Sequence, residues 1–192
     1  MKDVRPLKRQ LREECLRRRD GIEPARREQM SREICDILTR LRSFETCDTL
    51  LTYVSFGSEV STFPIIEYCF SVGKTVAVPK CEDRRKMEFY IITSFADLKR
   101  GKFDLLEPDP SKCRPVREFR NTFCLIPALS LDKYGNRLGY GGGFYDSFIS
   151  DFPGTHIGLC FKECLMSELP SCRHDVKCDS ILTEKGIILC RK

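Results

Sequence analysis

Phe123-Cys124-Leu125-Ile126-Pro127-Ala128-Leu129-Ser130-Leu131-Asp132-Lys133-Tyr134-Gly135-Asn136-Arg137-Leu138-Gly139-Tyr140-Gly141-Gly142-Gly143-Phe144-Tyr145-Asp146 carries the clearest fold signal in the sequence. It opens on a short, continuous apolar run, passes through turn residues and a glycine cluster, and ends where a helix can start, over about residues 143–150. A short apolar run feeding a helix is the unit of a parallel sheet, whose strands are buried on both faces.

Runs of the same kind recur along the chain. Leu50-Leu51-Thr52-Tyr53-Val54, Thr75-Val76-Ala77-Val78, Phe89-Tyr90-Ile91-Ile92, Ile157-Gly158-Leu159-Cys160 and Ile181-Leu182-Thr183 all read as strands. A helical stretch runs from about Phe63 to Val72. At the start, Leu7, Leu11 and Cys15 repeat every fourth residue, and Met30, Ile34, Ile37, Leu38 and Leu41 resume a helical period after Pro24, with Gly21 between the two. The spacing predicts an α/β fold: a mostly parallel open sheet with helices on both faces, preceded by two N-terminal helices. Ligands of such sheets bind in loops at the carboxyl ends of the strands.

No long linker or repeat divides residues 1–192, so one domain is expected. The formal charge of +5 reflects 33 basic against 28 acidic residues, with the excess concentrated near the start, at Arg17-Arg18-Arg19, Arg26-Arg27, Arg40 and Arg42. A basic end attracts nucleic acid or an anionic small molecule. Interleaved Glu13, Glu14, Asp20, Glu23 and Glu28 favour a solvated helix face for most of these arginines. The aromatics do not alternate with basic residues as a base-stacking platform requires, so no nucleic-acid partner is expected.

The twelve cysteines lie in a chain that opens MKDVRPLKRQ, without the apolar run of a signal peptide. They are scattered, with none of the close pairs of a zinc site, and read as small core hydrophobes in a reduced, cytoplasmic protein. No stretch approaches the ~20 apolar residues of a membrane span, so no membrane partner is expected, and a monomer is the default.

Four of the five residues 139–143 are glycine, directly before a helix. Glycines let successive N–H groups converge on an anion, to which the helix start adds partial positive charge. No Gly-Lys-Ser/Thr follows, and Phe144 stands where G-x-G-x-x-G needs its last glycine. Glycine spacing alone describes a flexible turn equally well. Arg137 before the loop and Asp146 after it favour a nucleotide with Mg²⁺, since phosphate needs a cation and Mg²⁺ takes carboxylate oxygen.

The whole string N-R-L-G-Y-G-G-G-F-Y-D, with I-P-A-L-S-L-D upstream, resembles the signature of the 5-formyltetrahydrofolate cyclo-ligase family. Weaker marks agree in order: Lys8-Arg9-Gln10-Leu11-Arg12, Tyr53 to Thr62 including Glu59, Val78-Pro79-Lys80, Leu106-Glu107-Pro108, His174-Asp175 to Asp179, and Thr183-Glu184. The loop departs from the pattern at Gly142 and Phe144, where lysine and tyrosine occur in relatives.

The resemblance implies an ATP-dependent ligase of one-carbon metabolism that converts 5-formyltetrahydrofolate, polyglutamylated or not, to 5,10-methenyltetrahydrofolate with release of ADP and phosphate. It implies ATP binding by Lys8, Arg9, Gln10, Leu11 and Arg12, and by Arg137, Leu138, Gly139, Tyr140, Gly141, Gly142, Gly143, Phe144 and Tyr145. It places the folate at Val54, Phe56, Glu59, Tyr140, Gly141, Gly142, Gly143 and Phe144, gives catalysis to Arg137 and Tyr145, and assigns Mg²⁺ to Asp146 and Asp179. Each position also admits a plainer reading: a solvated pair for Lys8 and Arg12, a loop carboxylate for Glu59, a helix-start carboxylate for Asp146. Asp175 lies close enough to Asp179 to be confused with it. His156 and His174 have no nucleophile in a triad pattern and read as structural, and a sugar-phosphate isomerase or acyl-CoA-type transferase on a similar scaffold is the rival enzyme.

Overall fold

In the computed structural model of the chain, residues 4–82, 86–101, 105–172 and 175–190 are described, and His174 lies outside them. Two helices open the fold, α1 at Arg5–Asp20 and α2 at Pro24–Leu38, each with a proline in its first turn where the missing N–H costs nothing. A single turn, α3 at Arg42–Glu45, follows. The central strands are β1 Thr49–Leu51, β2 Thr75–Cys81, β3 Met87–Ile92, β6 Thr122–Pro127, β9 Thr155–Leu159, β10 Ser180–Thr183 and β11 Gly186–Leu189. Helix α4 spans Phe63–Ser71 and α5 spans Phe144–Ile149.

The seven strands form one sheet in the order β11-β10-β9-β6-β1-β2-β3. Its five inner strands are parallel, and the edges β3 and β11 pair antiparallel. From β1 the chain crosses through α4 to β2 on one side, and from β6 it crosses through α5 to β9 on the other. Right-handed crossovers in opposite directions put α4 and α5 on opposite faces. The packing agrees: Phe123 of β6 meets Phe44 of α3 edge-on at 5.7 Å, Phe44 lies 6.3 Å from Tyr68 of α4, and the next residue, Cys124, lies beside Tyr145 of α5. The order of strands therefore reverses between β1 and β6, the place where open α/β sheets bind ligands.

Leu50, Leu51, Val76, Ala77, Val78, Leu125, Ile157, Ile181 and Leu182 are buried in one continuous core, as strands covered on both faces require. Helix α5 is only six residues long and is anchored by aromatic contacts, with Phe148 at 4.8 Å from Phe89 and 5.5 Å from Phe119. All twelve cysteines are free thiols, and Cys35, Cys69, Cys124 and Cys160 sit in the core as small apolar groups.

The expected elements are present with shifted ends, and β1 stops at Leu51 because the chain then leaves the sheet. There Thr62 donates to the Tyr53 carbonyl at 2.7 Å and the Tyr53 hydroxyl donates to the Val60 carbonyl at 2.9 Å, closing residues 53–62 into a compact loop. Two ribbons were not anticipated: β4 Leu98–Arg100 with β5 Leu106–Pro108, and β7 Ser130–Leu131 with β8 Arg137–Leu138. Strands of two or three residues are too short to display a period.

Leu125→Ala, in the middle of the sheet and fully buried, should cost roughly 2–5 kcal/mol of stability. A urea midpoint corresponding to a loss below about 1 kcal/mol would mean that the sheet centre can collapse around the deletion.

Candidate active site

The loops after β1 and β6 open at the reversal point, and α1 lies against them. The longer loop owes its shape to Asp132, which is 1% exposed. One carboxylate oxygen accepts from the N–H groups of Tyr134 at 2.9 Å and Asn136 at 3.0 Å, and the other from Asn136 Nδ2 and the Leu169 N–H, both at 2.8 Å. A buried carboxylate needs such donors, and with them it pins the turn that joins β7 to β8. The hairpin ends on Arg137 and Leu138 and delivers the glycines.

Gly141 and Gly143 have φ of +99° and +74°, a region that side chains disfavour. The bare backbone also admits close neighbours. A Cβ at Gly141 would lie 3.1 Å from Arg12 Cζ, and one at Gly139 would lie 2.4 Å from Arg137 Nη1. Two guanidinium groups thus press on the loop, and Arg12 Nε donates to the Gly139 carbonyl at 2.8 Å. A side chain at 142 would begin 2.9 Å from the Phe144 ring, so the two departures from the family string pack on each other.

Arg137 donates to the Pro127 carbonyl at 3.3 Å and to Asp146 Oδ2 at 2.9 Å, and its guanidinium lies 5.8 Å from the Tyr145 ring centre. The other Asp146 oxygen receives only a long contact, 3.4 Å from the Val176 N–H. The Tyr145 hydroxyl is buried without a hydrogen-bond partner among the described residues, and its burial holds the phenol well above the usual range.

On the α1 side, Lys8 is buried and ion-paired with Asp175. Arg9 and Gln10 are exposed, with Arg9 3.6 Å from Glu13, while Leu11 packs against a small apolar cluster with Cys15, Leu129, Leu138 and Leu169. Of the Lys8–Arg12 run, then, the structure brings Lys8 and Arg12 to the site and turns Arg9 and Gln10 outward.

Arg19 is the residue that the sequence reading missed. It is 3% exposed, not part of a solvated face, and donates to Ser58 Oγ at 3.0 Å, to the Ala128 carbonyl at 3.4 Å and to the Tyr140 hydroxyl. The helical spacing Lys8, Arg12, Cys15, Arg19 carried the signal, since these residues share one face.

Glu59 accepts the Phe56 N–H at 3.0 Å and interacts with Tyr140. Burial raises its carboxyl above the ordinary range, against the pull of the Phe56 N–H and Arg19. Phe56 and Tyr140, 54% and 53% exposed, offer aromatic rings beside it, and Val54 packs on the core.

Asp179 lies elsewhere, at the amino ends of β9 and β10, where it accepts the His156 N–H at 3.0 Å and approaches His156 Nδ1 at 3.1 Å. Among the described residues no group of three His, Cys, Asp or Glu side chains could hold a metal ion.

The arrangement combines a glycine loop with left-handed backbone, converging cations and a half-buried carboxylate flanked by aromatic rings. The 5-formyltetrahydrofolate cyclo-ligase family matches residues 4–184, and the chain belongs to it. A mouse 5-formyltetrahydrofolate cyclo-ligase is 27% identical over 193 residues, covering 94% of this chain and 95% of its own. A probable 5-formyltetrahydrofolate cyclo-ligase of Schizosaccharomyces pombe is also 27% identical, over 81% of this chain and 84% of its own. The solution structure of Aquifex aeolicus 5,10-methenyltetrahydrofolate synthetase superposes with a TM-score of 0.85 at 26% identity, covering 97% of this chain and 94% of that one.

Gly141→Ala should leave a folded protein with weakened nucleotide binding, because its Cβ strains the loop and displaces Arg12. Titration with a fluorescent ATP analogue checks this, and unchanged affinity in the folded variant would reduce the loop to a connector.

Proposed function

We propose that this chain catalyses the ATP-dependent cyclisation of 5-formyltetrahydrofolate to 5,10-methenyltetrahydrofolate, releasing ADP and phosphate. The observation that supports it most is the juxtaposition, at one end of one sheet, of a glycine loop pressed by Arg12 and Arg137 with the Glu59 carboxylate.

The formyl oxygen attacks the γ-phosphorus of ATP and ADP departs. N10 then attacks the activated formyl carbon, loses its proton, and phosphate leaves to complete the methenyl ring. Such chemistry asks for positioning and charge neutralisation more than for a covalent nucleophile. Lys8, Arg12 and Arg137 balance the phosphate charges, and the N–H groups of residues 139–143 cradle them. Glu59 accepts the N–H donors along the pterin edge, with Phe56 and Tyr140 beside the ring. The buried, unpartnered Tyr145 hydroxyl is the donor held in reserve for the transferring group.

ATP and Mg²⁺ are the cofactors of this reading. The exposed side of Asp146 suits the ion, because one oxygen is only loosely held and Mg²⁺ commonly takes one or two carboxylates with phosphate and water. Bound there, Mg²⁺ would neutralise nucleotide charge. Asp179, engaged by His156 at the amino ends of β9 and β10, takes no part in holding the ion in this reading. No described helix is long and apolar enough to cross a membrane, and the reading takes the enzyme as cytoplasmic and monomeric.

Incubation with ATP, Mg²⁺ and 5-formyltetrahydrofolate should develop the methenyl chromophore with equimolar ADP. Turnover without ATP would favour the isomerase or transferase reading. Asp146→Asn, which keeps the size and an oxygen to accept from Arg137 but gives up the charge, should lose turnover by about a hundredfold and recover in part at high Mg²⁺. Normal turnover with a lower melting temperature would make Asp146 a structural partner of Arg137 only.

A further inference from the structure

Arg19 is assigned no role by the family string, yet it is more deeply buried than any other arginine among the described residues, at 3% exposure. Its hydrogen-bond partners are neutral: the Ser58 hydroxyl, the Ala128 carbonyl and the Tyr140 hydroxyl. Burying a guanidinium costs several kcal/mol unless charge answers it. Here carboxylates answer it at one remove. Ser58 donates onward to Asp20, and Tyr140 interacts with Glu59. The guanidinium also covers one face of the Tyr140 ring at 5.6 Å, while the ring remains 53% exposed.

The geometry points to Arg19 as a positioning residue of the reaction: it ties the loop after β1 to the glycine loop and fixes Glu59 and the Tyr140 ring as one unit for the N–H edge and flat face of the pterin. The inference rests on the folate reading above. Three segments distant in sequence meet on this side chain: α1, the loop at Ser58 and the loop at Ala128 and Tyr140. A planar fork of donors can bridge two oxygens and stack on a ring at once, which a lysine ammonium cannot do. Tyr140 accepts from Arg19 and is left with its proton to donate, and Glu59 lies within its reach.

The groups that face Glu59 from the surrounding elements are Arg19 of α1, Tyr53 after β1, Tyr140 of the glycine loop and Tyr145 of α5. Of these only Arg19 carries charge at neutral pH. Burial raises the Glu59 carboxyl, and Arg19 opposes that rise. A carboxylate that must be ionised to accept the pterin N–H groups fails as pH falls through its pKa. Removing Arg19 moves that pKa up, so the acid limb of kcat/KM for folate moves to higher pH.

The test compares wild type, Arg19→Met and Arg19→Lys, all checked for folding by thermal melting. Two readouts are taken: KM for 5-formyltetrahydrofolate and for ATP across pH, and the titration of the Glu59 carboxyl by ¹³C NMR in folate-free protein, assigned with Glu59→Gln. Arg19→Met should raise folate KM roughly ten- to a hundredfold, the effect of one lost charge-assisted contact, with ATP KM within about twofold. Glu59 should titrate at higher pH, and the acid limb should shift with it. Arg19→Lys should restore the Glu59 titration and only part of the folate KM. A folded Arg19→Met with both readouts unmoved overturns the inference, as does a parallel rise of both KM values with Glu59 unchanged. If wild type neither binds nor turns over folate while Glu59 still responds to Arg19→Met, the folate reading falls and the hold of Arg19 on Glu59 stands.

Discussion

Two neighbouring parallel strands, β1 and β6, send the chain away in opposite directions, and this reversal is the constraint from which the site follows. Crossovers diverging from a common seam leave a crevice at the carboxyl ends that no helix of the sheet's own layers can close. The loop after β1 supplies Phe56 and Glu59, and the loop after β6 supplies the glycines and Arg137. Helix α1 fills the crevice from outside the sheet and carries Lys8, Arg12 and Arg19 along a single face. Cations and carboxylates from three remote parts of the sequence therefore converge without any of them lying on a strand of the central sheet.

Burial sets the chemistry of that crevice. Asp132 is held in place by four donors, which makes the hairpin a rigid arm for Arg137. Arg137 shares its charge with Asp146, and Arg12 is held over Gly141 by a carbonyl, so both guanidinium groups are fixed beside the glycine loop. Such preorganisation reduces the ordering that must occur at the moment of reaction. Glu59, raised by its surroundings, remains responsive to the one cation beside it.

Much of this was legible in the sequence. Continuous apolar runs at Leu50, Val76, Leu125, Ile157 and Ile181 announced buried parallel strands, and the glycine string announced a tight turn before a helix. What stayed hidden was hidden for physical reasons. Arg19 sits in an arginine triplet whose neighbours Arg17 and Arg18 are solvated, and composition cannot distinguish the member that faces inward. Asp132 reads as an ordinary turn residue until its four donors are seen. The pairing of Asp179 with His156 depends on strand register between β9 and β10, which local sequence does not encode.

Nucleotide and folate should meet at the β1–β6 crevice beneath α1. Amide chemical-shift mapping with a non-hydrolysable ATP analogue and then 5-formyltetrahydrofolate tests it directly. Shifts are expected at residues 8–19 and 137–146 with the nucleotide, and at 54–60 and Tyr140 with the folate. Shifts gathered at the opposite end of the sheet, around Gly73, Asn121 and His156, would contradict it.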